Sequence, residues 1–497
     1  MFRNESESVI GKAKAREKSK AKAKSCSQSP VIAGPSGTKN VPPSMDEELM
    51  EHARVQEKDQ EFFVETPTPK FSMFPTVEER ALGYFSTNAS TWMRNFDVTD
   101  ELCSQTSTDE HLLASMSAVG LASFSHSIQA PELMVRARRE YVSALRLTNT
   151  ALRSPTEAKK DSTLFSVMIL SIFETVAGNN ERSLAAWAEH VNGAAALVKL
   201  RGKDQFQTQA GMRMFLQVTS NLMLSCIQRT TAMPDHIVEL RKEAEKHMDT
   251  DSPAWRLSGI IIDFTIFRAA VRDVKIVGPR AVVAAGLEID RRFLKVFGNL
   301  PEEWHYKVVY TDENPEMIWN GNYHVYKENW MAHIWNGMRV CRIMLHETIR
   351  DQLLAASTAM TPIFTEYEIA AQNDSSMNAM LQMRADILAS VPHHTPMNFS
   401  AKPVSFLEGS RAYFVLWPLY LAGAMDVTTE PIKKWVIARL RSIGESVGIK
   451  QAFFVAEYLR RNKIIETWHT KPEPKIQRIG ILEQAMAKHK NMFVEED

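Results

Sequence analysis

Tyr326–Gln352 reads YKENWMAHIWNGMRVCRIMLHETIRDQ. Within it Trp330, Ile334, Met338, Cys341, Leu345 and Ile349 follow one another by steps of four, four, three, four and four. Residues so spaced stand one above another on a helix, and the stretch predicts a helix with an apolar stripe along one side. Outward from it the same periodicity recurs. Helices are expected at 207–230, 234–247, 254–273, 280–297, 366–390, 403–423, 430–446, 449–467 and 476–489. Thr76 with Glu79 three residues on has capping-box spacing for an earlier helix. Pro131 opens another at a tolerated first-turn position; it buries Leu133, Ala137, Tyr141, Ala144 and Leu145 and leaves Arg136, Arg138, Arg139 and Arg146 to solvent. Ser162–Val176 is apolar nearly all round and suits a central buried helix, ended by Gly178 and the Asn pair after it. Only Lys307–Tyr310 reads as a strand, and a short one. The expected fold class is all-α, a multi-helix array of antiparallel helix pairs.

Composition agrees. Of 497 residues 44% are hydrophobic and 24% charged, ordinary for a globular chain. Glycine numbers 20, roughly half the usual share of about 7%, whereas methionine numbers 25. Few turn formers and many unbranched apolar residues favour helix. The 59 basic and 59 acidic residues cancel over the whole chain but not locally. Lys12–Lys24 (KAKAREKSKAKAK) carries seven basic residues in thirteen, namely Lys12, Lys14, Arg16, Lys18, Lys20, Lys22 and Lys24. A Ser/Pro/Gly stretch follows, so residues 1–76 read as a disordered linker that buries too little apolar surface to offset ordering, with a short helix expected at Asp46–Gln60. Residues 77–497 read as the helical domain. The basic run has the chemistry to neutralise phosphates or engage an import receptor, and equally to stay solvated and keep the tail soluble.

Several function classes leave no trace. Cys26, Cys103, Cys226 and Cys341 lie at least 77 positions apart, so no C-x-x-C zinc or redox motif exists, and reduced intracellular thiols are expected. The uncharged stretches Met214–Gln228 and Ala412–Met425 fall short of the roughly 20 residues of a membrane span. G-x-S-x-G, H-E-x-x-H, the phosphate-binding loop, G-x-G-x-x-G and any Asp-Asp pair are absent. His393 and His394, being adjacent, point apart on any regular element and read as a loop pair, not a metal site. No metal or cofactor is expected on this chain.

Trp187–Gly211 reads WAEHVNGAAALVKLRGKDQFQTQAG. Trp187, Val191, Ala194, Leu197 and Val198 share a helix face, Gly193 with the alanines after it allows close approach, Gly202 supplies a left-handed end and Thr208 can cap the next helix. The residues alone describe a helical hairpin. The segment also resembles the core of the fungal-specific regulatory domain found downstream of binuclear zinc clusters, through Trp187, His190, Gly193, Ala194, Leu197, Arg201, Gly202, Gln205, Phe206, Thr208 and Gly211. Three later stretches resemble the same family in the same order. They are Trp330–Ile349 through Trp335, Asn336, Arg339, Arg342 and Ile343; Asp386–His394 (DILASVPHH), a turn that includes Pro392; and Tyr413–Gly423 (YFVLWPLYLAG), through Trp417 and Pro418. Gly448–Ala452 continues it, so that the resemblance spans roughly 77–470.

The resemblance implies transcription regulation in the nucleus, typically control of a metabolic pathway, with transcription machinery or a co-regulator as partner and self-association or pairing with a full-length homologue. In relatives a segment like Phe2–Ala23 follows the zinc cluster, and Cys26 is the only cysteine in the first hundred residues here. The zinc-cluster DNA reader is therefore expected to be missing, zinc would belong to that missing cluster, and DNA contact would be non-specific through the basic tail. The matched residues are expected to hold helices together. Two other readings stay open: a helical interaction protein outside transcription, acting as a dominant-negative partner, and an enzyme in a helical shell.

Overall fold

In the computed structural model the chain is described over residues 75–92, 109–395 and 410–462. Every described element belongs to the unit Thr76–Asp497. Lys12–Lys24 and the helices expected at Asp46–Gln60 and 476–489 lie outside the described residues. Fourteen α-helices are described, with one two-stranded antiparallel hairpin. The chain is all-α in class, as its periodicity requires.

The first core is built from α1 (Val77–Trp92), α2 (Glu110–Ser127), α3 (Pro131–Ala151), α4 (Asp161–Ala177), α5 (Glu181–Arg201), α6 (Gln209–Arg229) and α7 (Asp235–Ala244). Thr76 and Glu79 form the expected capping pair, Thr76 N–H donating to Glu79 Oε2 at 2.7 Å and Glu79 N–H to Thr76 Oγ1 at 3.2 Å. Helix α4 is buried on every side, because its sequence offers no polar face to turn outward. Helices α1 and α2 touch at Gly120, where a Cβ would stand 2.2 Å from the Ala81 carbonyl oxygen; only glycine permits that approach. Gly202, at φ +61°, ends α5, and Thr208 Oγ1 accepts the Gly211 N–H at 3.0 Å to start α6.

The second core contains α8 (Pro253–Arg272), α9 (Pro279–Phe297), α10 (Asn329–Ser357), α11 (Glu366–His394), α12 (Tyr413–Ala424), α13 (Glu430–Ser446) and α14 (Lys450–Arg460). Consecutive helices pack side by side, α9 with α10, α10 with α11 and α13 with α14. Strand β1 (Lys307–Tyr310) is where expected; its partner β2 (Asn322–Val325) was not legible, being four residues with no alternation of its own. The two cores are stitched together. Leu184 of α5 and Ile227 of α6 are buried in the second, while Trp255 and Ile262 of α8 are buried in the first.

Three expectations are corrected. Burial on α10 is not confined to the expected stripe along one side: every residue from Met338 to His346 is buried, because the middle of α10 runs between its neighbours. Asp386–His394 is no turn. Helix α11 continues through Pro392 to His394, since proline costs the helix one N–H and neighbouring packing holds the rest. His393 and His394 consequently sit in the last helical turn, not in a loop. Of the helix expected at 403–423, residues 403–409 lie outside the described residues, Ser410–Ala412 form a 3-10 turn and the α-helix runs from Tyr413.

Candidate functional site

A cavity of about 70 Å³ opens where the two cores meet. On a water-sized measure of about 10–15 Å³ each, that holds about five waters, or one small ring. Helix α5 contributes Leu184 and Trp187, α6 Ile227 and Gln228, α10 Gly337 and Val340. Across from them stand Phe414, Trp417 and Pro418 of α12 and Gln451 of α14, with the His333 ring 4.6 Å from that of Phe414. The lining is apolar and aromatic except for the imidazole, the two amides and the phenol of Tyr413. Gln228 and Gln451 are 6% and 8% exposed, and neither side-chain amide has a hydrogen-bond partner among the described residues. The room exists because α10 carries glycine at 337, where an added Cβ would meet nothing within 4 Å. Pro418, lacking an N–H, leaves the Phe414 carbonyl one turn back without that helical donor.

Of the residues singled out in the sequence, Trp187, Trp417 and Pro418 converge on this cavity. The others do not. His190 lies deeper in the first core, its Nε2 3.0 Å from the Tyr141 hydroxyl, which itself donates to Glu174 Oε1 at 2.5 Å. Burial pushes His190 down to about 4 and also raises Glu174 and Tyr141, Tyr141 further still through the nearby Glu174 charge. With the tyrosine proton directed at the carboxylate, His190 serves as a neutral Nε2–H donor. Arg201 pairs with Asp161 at the start of α4. Gly193 has Val167 Cγ1 3.8 Å from its Cβ position, and Phe206 packs edge-on against Phe215 with ring centres 5.0 Å apart.

Trp335, Arg339 and Pro392 fall in the second core. Trp335 Nε1–H donates to the Trp304 carbonyl at 3.0 Å. Arg339 is fully buried; its Nη1 donates to Tyr326 Oη at 2.7 Å and Asn336 Oδ1 at 2.9 Å, and its Nε stands 3.8 Å from Asp386. Rings of Tyr306, Trp335 and Tyr326 surround the guanidinium at 5.2, 5.4 and 5.9 Å. Asn336 Nδ2 donates to Ser390 Oγ at 2.9 Å. The Asn-x-x-Arg and Asp-Ile-x-x-Ser stretches, apart in sequence, thus bond to each other.

Sequence reasoning missed how far this polar row extends. Arg342 forms a two-pronged pair with Asp290 of α9, at 2.6 and 3.1 Å. His346 Nε2 lies 3.4 Å from the same carboxylate, and Arg350 lies 3.4 Å from Asp426. Burial alone would raise Asp290, but hydrogen bonds from His346 and Arg342 and their charges outweigh it and hold the carboxyl at about 2. The available signal was spacing: Arg339, Arg342, His346 and Arg350 recur by three, four and four, immediately beside the apolar stripe.

Little here suits nucleophilic or metal chemistry. No group of three or more His, Cys, Asp or Glu that could hold a metal occurs among the described residues. Burial raises both described thiols, Cys341 to about 12, and keeps them in the unreactive protonated form. No described helix is long and apolar enough to cross a membrane. Residues 82–251 match the family model of the fungal specific transcription factor domain, a span that includes Trp187–Gly211 and ends before the three later stretches. Neither a curated protein nor a solved structure matches the chain. The family match and the all-helical fold together support a transcription regulator.

Proposed function

We propose that this chain is the regulatory region of a zinc-cluster-type fungal transcription regulator, acting in the nucleus on a metabolic pathway. The observation that carries the reading is the family match over 82–251. Helping it, the later stretches that resemble the same family are packed into the same unit, through the bonds between Asn336 and Ser390 and the cavity shared by Trp187 and Trp417. A body of two stitched cores can exist in alternative packings, and a partner such as a co-regulator acts by favouring one of them. The region works as a regulator and not as an enzyme. Lys12–Lys24 serves nuclear import and salt-sensitive, sequence-independent attachment to DNA.

The test is to fuse the whole chain to an unrelated DNA-binding domain and tether it at a reporter in a fungal cell. Reporter output should move up or down relative to the DNA-binding domain alone, and output indistinguishable from that control refutes the reading. In the same cells, deleting Lys12–Lys24 should lower nuclear accumulation of the tagged chain; an unchanged nuclear signal removes that segment from the account.

A further inference from the structure

We infer that the cavity between the two cores is a binding site for a small, neutral aromatic molecule bearing an amide-like donor and acceptor. Three independent observations carry this. First, α10 is close-packed along its middle, yet at Gly337 the space a side chain would fill is open. A glycine inside a helix costs about 1 kcal/mol relative to alanine, so the opening is maintained against helix propensity. Second, the walls are mostly apolar and aromatic, with Trp187 and Trp417 among them, so that a flat ring finds faces and edges to contact. Third, Gln228 and Gln451 are more than nine-tenths buried and unpartnered among the described residues. Their amide atoms are not sealed off by protein, and both residues line the opening, so their bonding capacity is left for a guest. A ligand amide satisfies both ends of such a group, donating to its oxygen and accepting from its nitrogen.

Neutrality follows from the lining. No carboxylate, lysine or arginine lines the cavity, and the only titratable side chain besides Tyr413 is His333. A charged ligand would surrender its hydration with no counter-charge in the lining to replace it. The walls come from α5 and α6 on one side and α10, α12 and α14 on the other, so a bound ring bridges the cores and favours the packing in which they are closed. That regulatory consequence rests on the reading of the chain as a transcription regulator; the binding does not.

The experiment uses the purified full chain, benzamide as probe, and saturation-transfer NMR together with thermal unfolding. Benzamide at millimolar concentration should bind saturably and raise Tm, whereas benzoate, the same size but charged, should bind at least about 100-fold more weakly. Gly337→Leu fills the cavity and should abolish binding while unfolding at or above the parental Tm. Gln228→Met and Gln451→Met keep volume but remove the amides, and each should weaken binding roughly tenfold; they carry the test if Gly337→Leu does not fold. Absence of saturable benzamide binding overturns the inference, as does undiminished binding in the Gly337 or glutamine variants, or benzoate binding as tightly as benzamide. If benzamide binds while the tethered chain leaves the reporter unmoved, the site stands and the regulatory reading falls.

Discussion

The two cores solve the problem of buried polarity differently. In the first, the polar groups inside are mostly hydroxyls. Ser166 Oγ reaches Ser115 Oγ at 2.6 Å, Thr148 Oγ1 at 2.9 Å and the His111 carbonyl at 3.2 Å, all within the α2–α3–α4 contact. In the second, the interior of α10 carries Arg339, Arg342, His346 and Arg350, set against Asp386, Asp290 and Asp426 from neighbouring segments. A hydroxyl fits almost any close helix pair, because it can turn back to a carbonyl of its own helix. A guanidinium cannot; it needs an acceptor at one place on another helix. The second core repeats such fixed sites along one helix and holds α9, α10 and α11 in one register. In the first, the Arg201–Asp161 pair and the Tyr141–Glu174–His190 cluster play that part among a majority of hydroxyls.

The difference predicts a graded set of effects. Asp290→Ala leaves Arg342 buried without its counter-charge and should cost about 3–5 kcal/mol in urea unfolding. Replacing the pair together, Asp290→Leu with Arg342→Met, should recover most of that; no recovery would mean that the pair is not what sets the register. Next comes acidity in the first core. His190 is held neutral by burial, its pKa lowered from 6.5 to about 4. Between those values the unfolded chain binds the proton and the folded chain does not, so stability is full above pH 6.5 and declines towards pH 4, by about 3 kcal/mol. His190→Gln should remove that part of the slope, and an unaltered slope would show that His190 is not protected. Ser166→Ala should cost about 1–2 kcal/mol, less than Asp290→Ala; an equal cost would erase the contrast between the cores. Smallest is Thr208→Ala, which removes the cap of α6 for about 1 kcal/mol, read from the same unfolding curves.

Much of the helical layout was legible because its signals are local. The Thr76–Glu79 pair, Pro131 at the head of α3, Gly202 at the end of α5 and Thr208 at the start of α6 each act within one helical turn. The seamless apolarity of α4 announced its burial. The row on α10 was half legible: Asn336, Arg339 and Arg342 stood out through family resemblance, but an arginine in a sequence ordinarily reads as surface. Its partners Asp290 and Asp426 lie 52 and 76 positions away from Arg342 and Arg350, and no periodicity links them. Pro392 suggested a turn for the same reason, since only the packing around α11 shows that the helix survives it.

Composition and periodicity alone determined that this chain is helical, where most helices start and stop, and which faces are apolar, because those properties depend on residues within a few positions of each other. The tertiary structure alone decided that the middle of α10 is enclosed on all sides, that Trp187 and Trp417 line one cavity, and that the missing side chain at Gly337 leaves room there beside two unpartnered amides. Such facts depend on which distant surfaces come together. A glycine in a helix looks the same in sequence whether a neighbour or an empty space stands beside it.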